Sequence, residues 1–134
     1  MTATVSPAAR VLVVDDDDGV RTFVADALTD AGHEVTQAAD GQAALARLAE
    51  RAFHVVVTDL RMPGLDGLGL LGAIRREHAE TEVVVLTAHG SIETAVQAMK
   101  DGAFDFLQKP IGGPAELRAV VARAVERHRL QAFK

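Results

Sequence analysis

His54-Val55-Val56-Val57-Thr58-Asp59 is the stretch whose reading decides the fold. Three consecutive valines leave no polar alternation, so the run reads as a strand covered on both faces, as in a parallel sheet held between layers of helices. It ends on a carboxylate, Asp59, and Leu60-Arg61-Met62-Pro63-Gly64 follows at once, where Pro63 and Gly64 stop both strand and helix. Open α/β sheets place their ligands in the crevice outside the carboxyl ends of such strands. Asp59 is therefore the first candidate for chemistry.

Working outward, the same grammar repeats. Arg10-Val11-Leu12-Val13-Val14 is a second apolar strand that runs into Asp15-Asp16-Asp17-Asp18. Val20, Phe23, Val24, Ala27, Leu28 and Ala31 then recur at helical spacing, with Asp18 as the expected N-cap and Gly32 as the stop. Glu34 to Ala38 is a shorter, more polar strand suited to a sheet edge. Asp40 caps a helix whose Ala43, Ala44, Leu45 and Leu48 face inward. Beyond the central strand, a helix from about Asp66 to Arg76 carries Leu68, Leu71 and Ile74 on one face. Gly67, Gly69 and Gly72 each weaken it by up to ~1 kcal/mol relative to Ala. Glu82 to Leu86 is the fourth strand and ends on Thr87. Its helix runs from an N-cap at Ser91 through Ile92, Ala95, Val96 and Met99 to Gly102. Ala103 to Gln108 is the fifth strand and ends on Lys109-Pro110. The last helix begins near Pro114, a residue allowed at the first helical position, and buries Leu117, Val120, Val121, Ala124 and Val125. Strands alternating with helices of this length make a doubly wound α/β sandwich of five parallel strands, because parallel strands need right-handed crossovers.

The bulk numbers bound the function. A chain of 134 residues makes one domain. We expect it over residues 10–130, with 1–9 a disordered arm and 131–134 a tail or the start of a linker. The lack of cysteine removes disulfides, thiolate catalysis and cysteine zinc sites together. The polar opening residues carry no signal peptide, and no apolar run approaches the length that spans a bilayer. A net charge of -5 argues against direct nucleic acid binding, which depends on neutralising phosphates. These features together predict a cytoplasmic protein without a membrane partner.

Four of the five strands finish on a functional residue: Asp15 and Asp16, Asp59, Thr87, and Lys109. All carboxyl ends of a parallel sheet lie along one edge, so these residues converge on one shallow pocket. Three carboxylates crowded there repel one another, which raises the pKa of some or calls for a divalent cation. Oxygen ligands and retained waters suit Mg²⁺. Lysine adds a point charge and threonine a hydroxyl donor. Such a set suits a carboxylate nucleophile attacking phosphorus while cations neutralise the equatorial oxygens.

The segments VLVVDDD, VVVTDLRMPGLDG, VVVLTAHGS and GAFDFLQKP, in that order, resemble the receiver domain of two-component response regulators. The wording TAHGSIETAVQAMKDGAFDFLQKP is most similar to receivers of the nitrogen-regulation type. The resemblance implies a flavodoxin-like strand order, 2-1-3-4-5, and a signalling domain that catalyses only its own phosphorylation and dephosphorylation. By it, Asp59 is the phosphoacceptor for a histidine kinase or phosphotransfer protein. Asp16 ligates Mg²⁺ directly, Asp15 mostly through water, and Asp59 and the backbone carbonyl of Arg61 complete the protein's share of the metal shell. Lys109 contacts the phosphoryl group, and the Lys109-Pro110 peptide is cis. Thr87 moves towards the modified acceptor and Phe106 turns inward, switching the surface of the fourth helix, fifth strand and fifth helix. That face is also the expected homodimer contact. Receivers of this type usually precede an ATPase that activates transcription. This chain shows no Walker loop or DNA-binding helix pair, so two readings stay open: a stand-alone receiver, or a receiver whose further partner is a covalently linked output domain absent from this chain. Phe106 lacks a tyrosine hydroxyl, so its switch rests on packing alone.

Other motifs fit these residues less well. Asp16-Asp17-Asp18-Gly19-Val20 also matches the nucleophile motif of haloacid-dehalogenase-type phosphatases, with Asp16 attacking and Asp18 as the acid. Those enzymes need an acidic pair after the lysine, where only Glu116 and Glu126 follow, and they leave Asp59 idle. An EF-hand loop fails, since Gly19 at its glycine puts Val14 at the first ligand and Ala25 at the bidentate acid. His33, His54, His78, His89 and His128 show no metal-ligand spacing and read as surface or packing residues, although His89 lies beside the pocket. Met62 reads as core. Arg118, Arg123, Arg127 and Arg129 read as a solvated helix face.

Overall fold

The computed structural model describes residues 9–88 and 92–131. In it β1 (Arg10–Val14), β2 (Glu34–Ala38), β3 (Val55–Asp59), β4 (Glu82–Thr87) and β5 (Asp105–Gln108) form one sheet. Their order is β2-β1-β3-β4-β5 with every pairing parallel, which is the flavodoxin-like order expected from the sequence. The crossovers are α1 (Asp18–Asp30), α2 (Gly41–Glu50), α3 (Gly67–Glu77) and α4 (Ile92–Lys100), and α5 (Pro114–Gln131) closes the chain.

The period of two along each strand divides the core into two layers. Val11, Val13, Val55 and Val57 pack with Val24 and Leu28 of α1 and with Leu117, Val121 and Val125 of α5. Leu12, Val14, Val56, Val83 and Val85 face the other way, onto Leu48 of α2, Leu70, Leu71 and Ile74 of α3, and Ala98 of α4. The central strands β3 and β4 are buried at every residue, whereas β2 and β5, at the two edges, are partly exposed and shorter on apolar residues. Edge strands kept short or polar present less of a template for unwanted pairing.

Local differences from the sequence reading have physical causes. Asp17, and not Asp18, caps α1: its Oδ1 accepts from the Val20 N–H at 3.0 Å, while Asp18 is the first helical residue. The face of α1 is narrower than its apolar spacing suggested, and Phe23 is 40% exposed. In α3 the buried set is Leu70, Leu71, Ala73 and Ile74, with Leu68 half-buried. Helix α4 packs through Ala95 and Ala98, which leaves Ile92, Val96 and Met99 exposed. Strand β5 begins at Asp105, two residues later than expected, because the Ala103 N–H is spent on the Ala98 carbonyl at the end of α4. His54 precedes β3, its Nδ1 accepting from the Arg10 N–H at 2.9 Å. Ala9, assigned to the arm, is fully buried, and its carbonyl accepts from the Glu34 N–H. The rest of that arm, the Ser91 cap, His89 and residues 132–134 lie outside the described residues.

Arg123 and Arg127 lie on the solvated face of α5 expected from the sequence, with Arg118 half-buried beside them, and the face carries ion pairs. Arg118 Nε donates to the Ala27 carbonyl at 3.0 Å, Arg123 pairs with Asp105, and Arg127 lies 3.5 Å from the buried Glu82 carboxylate. His128 Nδ1 sits 2.7 Å from the Glu80 carbonyl and its ring meets His54 edge-on, with centroids 4.8 Å apart. Arg118 ties the start of α5 to α1, and the other contacts pin the rest of the helix to the amino-terminal edge of the sheet.

Candidate functional site

The strand order reverses at β1, which has β2 on one side and β3 on the other, and ligand crevices of doubly wound sheets open at such a point. Val14 is in register with Thr58, so the next residues along the two strands, Asp15 and Asp59, are neighbours at the carboxyl edge. Asp59 is the last residue of β3. The ladder carries on for one residue beyond it, as the Leu60 N–H donates to the Leu86 carbonyl at 3.1 Å. On the far side, Thr87 ends β4, and its carbonyl accepts from the Lys109 N–H at 2.7 Å, which fixes where the lysine leaves β5. The Lys109-Pro110 peptide is cis.

The side chains converge as the strand ends do. Lys109 Nζ lies 3.0 Å from Asp15 Oδ2 and 3.3 Å from Asp59 Oδ1. Asp15, Asp16 and Asp59 each offer a carboxylate oxygen, and these oxygens lie within 4.8 Å of one another. Asp15 is fully buried, Asp59 nearly so at 7% exposure, and Asp16 is open to solvent. Burial, and then the charge of Asp15, push the Asp59 carboxyl above its ordinary pKa, against the pull of Lys109 and of the Arg61 backbone N–H. Burial works against the Lys109 ammonium, but the Asp15 and Asp59 carboxylates outweigh it and hold its pKa above the usual value. One ammonium shared by two carboxylates does not cancel burial and the neighbouring charge at Asp59, whose ionised form is therefore disfavoured.

The arrangement fits a hard divalent cation. All its donors are oxygens, and the buried Asp15 Oδ2 meets the lysine without an aligned hydrogen bond. Its other oxygen, Oδ1, is engaged, accepting from the Asp17 N–H at 2.9 Å. Thr87 is buried at the end of β4, where it lines an apolar groove of about 550 Å³ together with Ile92, Val96, Met99 and Phe106, the last 42% exposed. Arg61 is exposed in the loop after β3. Asp17 and Asp18 are taken up by the helix start, the first as cap and the second in an ion pair with Arg21 at 2.6 Å. Met62 is buried in the core.

Sequence reasoning overlooked two residues that shape this edge. Arg21 braces the acidic loop, and its position three residues after Asp18 was a legible signal of that pair. Gly67 is needed for contact: a Cβ there would lie 2.3 Å from the Asp59 carbonyl oxygen. No pattern in the chain distinguishes it from Gly69 or Gly72.

Comparison with known proteins agrees with the fold. The response regulator receiver domain profile matches residues 11–122. The response regulator protein FleR of Pseudomonas aeruginosa is 42% identical over 118 residues, covering 88% of this chain and 25% of that protein. The nitrogen assimilation regulatory protein NtrX of Azorhizobium caulinodans is 42% identical over 126 residues, covering 92% and 28%. The crystal structure of the receiver domain of NtrX from Brucella abortus superposes with a TM-score of 0.83 at 45% identity, covering 87% of this chain and 98% of that one. The chain thus spans about a quarter of the length of the curated relatives it matches. The phosphatase alternative is not favoured: Asp18, its acid, is held by Arg21, and the carboxylate facing Lys109 from β3 is Asp59.

Proposed function

The chain belongs to the response regulator receiver domain family of two-component signalling, and on that premise we propose that Asp59 is its phosphoacceptor. The observation that carries this reading is Asp59 itself, a nearly buried carboxylate at the end of β3 with an ammonium 3.3 Å away and two further carboxylates beside it. The donor is a phosphohistidine of a histidine kinase or phosphotransfer protein. A carboxylate oxygen of Asp59 forms the new P–O bond as the P–N bond breaks, and the histidine ring leaves with the electron pair. Asp15, Asp16, Asp59 and the Arg61 carbonyl are the groups that would hold Mg²⁺. When bound, Mg²⁺ supplies charge neutralisation for the phosphoryl oxygens. Lys109 stays protonated, pairs with the acceptor and receives a phosphoryl oxygen. The Thr87 hydroxyl donates to another. Its movement opens space for Phe106, and the resulting change is read by the face of α4, β5 and α5, which also offers a homodimer contact.

Residues 10–130 are the receiver unit in this reading, with 131–134 a tail or the start of a linker, and an output domain of the transcription-regulating kind is the covalent partner it would serve if the receiver is part of a longer regulator. Its place of action is the cytoplasm. Among the described residues no helix is long and apolar enough to cross a membrane.

Incubation with acetyl phosphate and Mg²⁺, followed by intact mass, tests the assignment. Wild type should gain one phosphoryl group that requires Mg²⁺ and is labile to hydroxylamine, and Asp59→Asn should gain none. Steady hydrolysis of phosphate esters that stops in Asp16→Asn but not in Asp59→Asn would replace this reading with the phosphatase.

A further inference from the structure

Arg21 lies outside the acidic cluster, yet it holds the loop on which the cluster depends. Its side chain is only 16% exposed and is used at every nitrogen. Nη1 donates to the Asp15 carbonyl at 2.8 Å, Nη2 to Asp18 Oδ1 at 2.6 Å, and Nε to Gln37 Oε1 on β2 at 3.1 Å. The Asp15 N–H still belongs to the sheet, donating to the Ala38 carbonyl. Its carbonyl is the first group past the end of β1, and Arg21 supplies the donor there. One planar guanidinium therefore ties the exit of β1, the first residue of α1 and the edge strand together. Asp16, exposed and flanked by these tied points, takes its direction from the backbone they set.

We propose that Arg21 is a positioning residue for the divalent cation site, aiming Asp16 through the Asp15–Asp18 loop. The inference rests on the reading of Asp16 as a metal ligand. The sign of the effect separates it from its competitor. Arg21 is a cation near three carboxylates, so if it acted only through charge, its removal would tighten binding of Mg²⁺. If it acts as a clamp, removal loosens the loop and weakens binding in spite of the more favourable charge. Lysine would restore the charge but not the fork that reaches three acceptors.

The test is Mg²⁺ affinity by titration calorimetry on the full chain, with Arg21→Ala, Arg21→Lys and, as the reference for the site, Asp16→Ala. Circular dichroism checks that each variant is folded. We expect both arginine variants to bind about tenfold more weakly, the scale set by groups that orient metal ligands. Unchanged or tighter binding in Arg21→Ala, or full recovery in Arg21→Lys, overturns the clamp. Should the alanine variant not fold, the lysine variant decides by the same criterion. If Asp16→Ala weakens binding and the arginine variants do not, only the clamp fails. If Asp16→Ala leaves affinity unchanged, the reading of the site fails and the clamp with it.

Discussion

Gly67→Ala and Gly72→Ala make the same chemical change in the same helix, and the structure predicts opposite outcomes. Gly67 opens α3 where the helix crosses the end of β3. A methyl group there would sit 2.3 Å from the Asp59 carbonyl oxygen and 2.6 Å from Leu60 Cα, both backbone atoms. They cannot retreat cheaply, because the Gly67 N–H donates to the Leu60 carbonyl at 3.0 Å and the Leu60 N–H to that of Leu86 at 3.1 Å. Overpacking of this kind costs roughly 1–3 kcal/mol, against at most ~1 kcal/mol gained from replacing a helical glycine. With roughly 2.1 cal/mol/K per residue, 134 residues give an unfolding entropy of about 0.28 kcal/mol/K. A net loss of up to about 2 kcal/mol thus lowers Tm by up to roughly 7 °C. At Gly72 the new methyl meets only Arg76 Nη1 at 3.4 Å, the far end of a side chain that can move. There the propensity gain of about 0.5–1 kcal/mol is kept, and Tm rises by roughly 2–4 °C. Calorimetric melts of the three proteins in EDTA at pH 7 measure both. If Gly67→Ala melts at or above wild type, or both variants move together, the close approach of α3 to Asp59 is not what holds this edge.

Two further outcomes follow from charges that the fold disfavours. The Asp59 carboxyl is held above its ordinary pKa, so its contribution to stability is complete below the unfolded value of about 3.9 and is lost as pH rises through the folded value. Asp59→Asn should therefore melt higher than wild type at pH 7 without Mg²⁺, with the gap closing towards pH 4; a lower Tm at pH 7 would contradict the electrostatic account. His54 has the opposite sense: burial first, then the charges of His128, Arg10 and Arg129, lower its pKa, so its contribution is complete above about pH 6.5 and fades as pH falls below it. His54→Asn keeps an acceptor for the Arg10 N–H and removes the titration. Its Tm difference between pH 7.5 and 5.5 should be smaller than that of wild type, and an equal or larger one would rule His54 out as the cause.

Much of this protein was legible in the chain because strands and helices announce themselves locally. The valine run of β3, the switch from period two to helical spacing, and a functional residue at four of the five strand exits are all read within about ten residues. From them came the five strands, the five helices and the candidates Asp15, Asp16, Asp59, Thr87 and Lys109, and the ordered motifs pointed to the receiver family. Which residues touch was decided by tertiary structure. Asp15 and Asp59 are separated by more than forty positions and become neighbours because β1 stands next to β3 at the point where strand order reverses. The lysine's two carboxylates, the arginine that braces the acidic loop, and the glycine that lets α3 approach Asp59 depend on distances between separate elements. Periodicity carries no information about those distances. It specifies which face of an element is buried, and only the packing of one element on another fixes what each exposed end will meet.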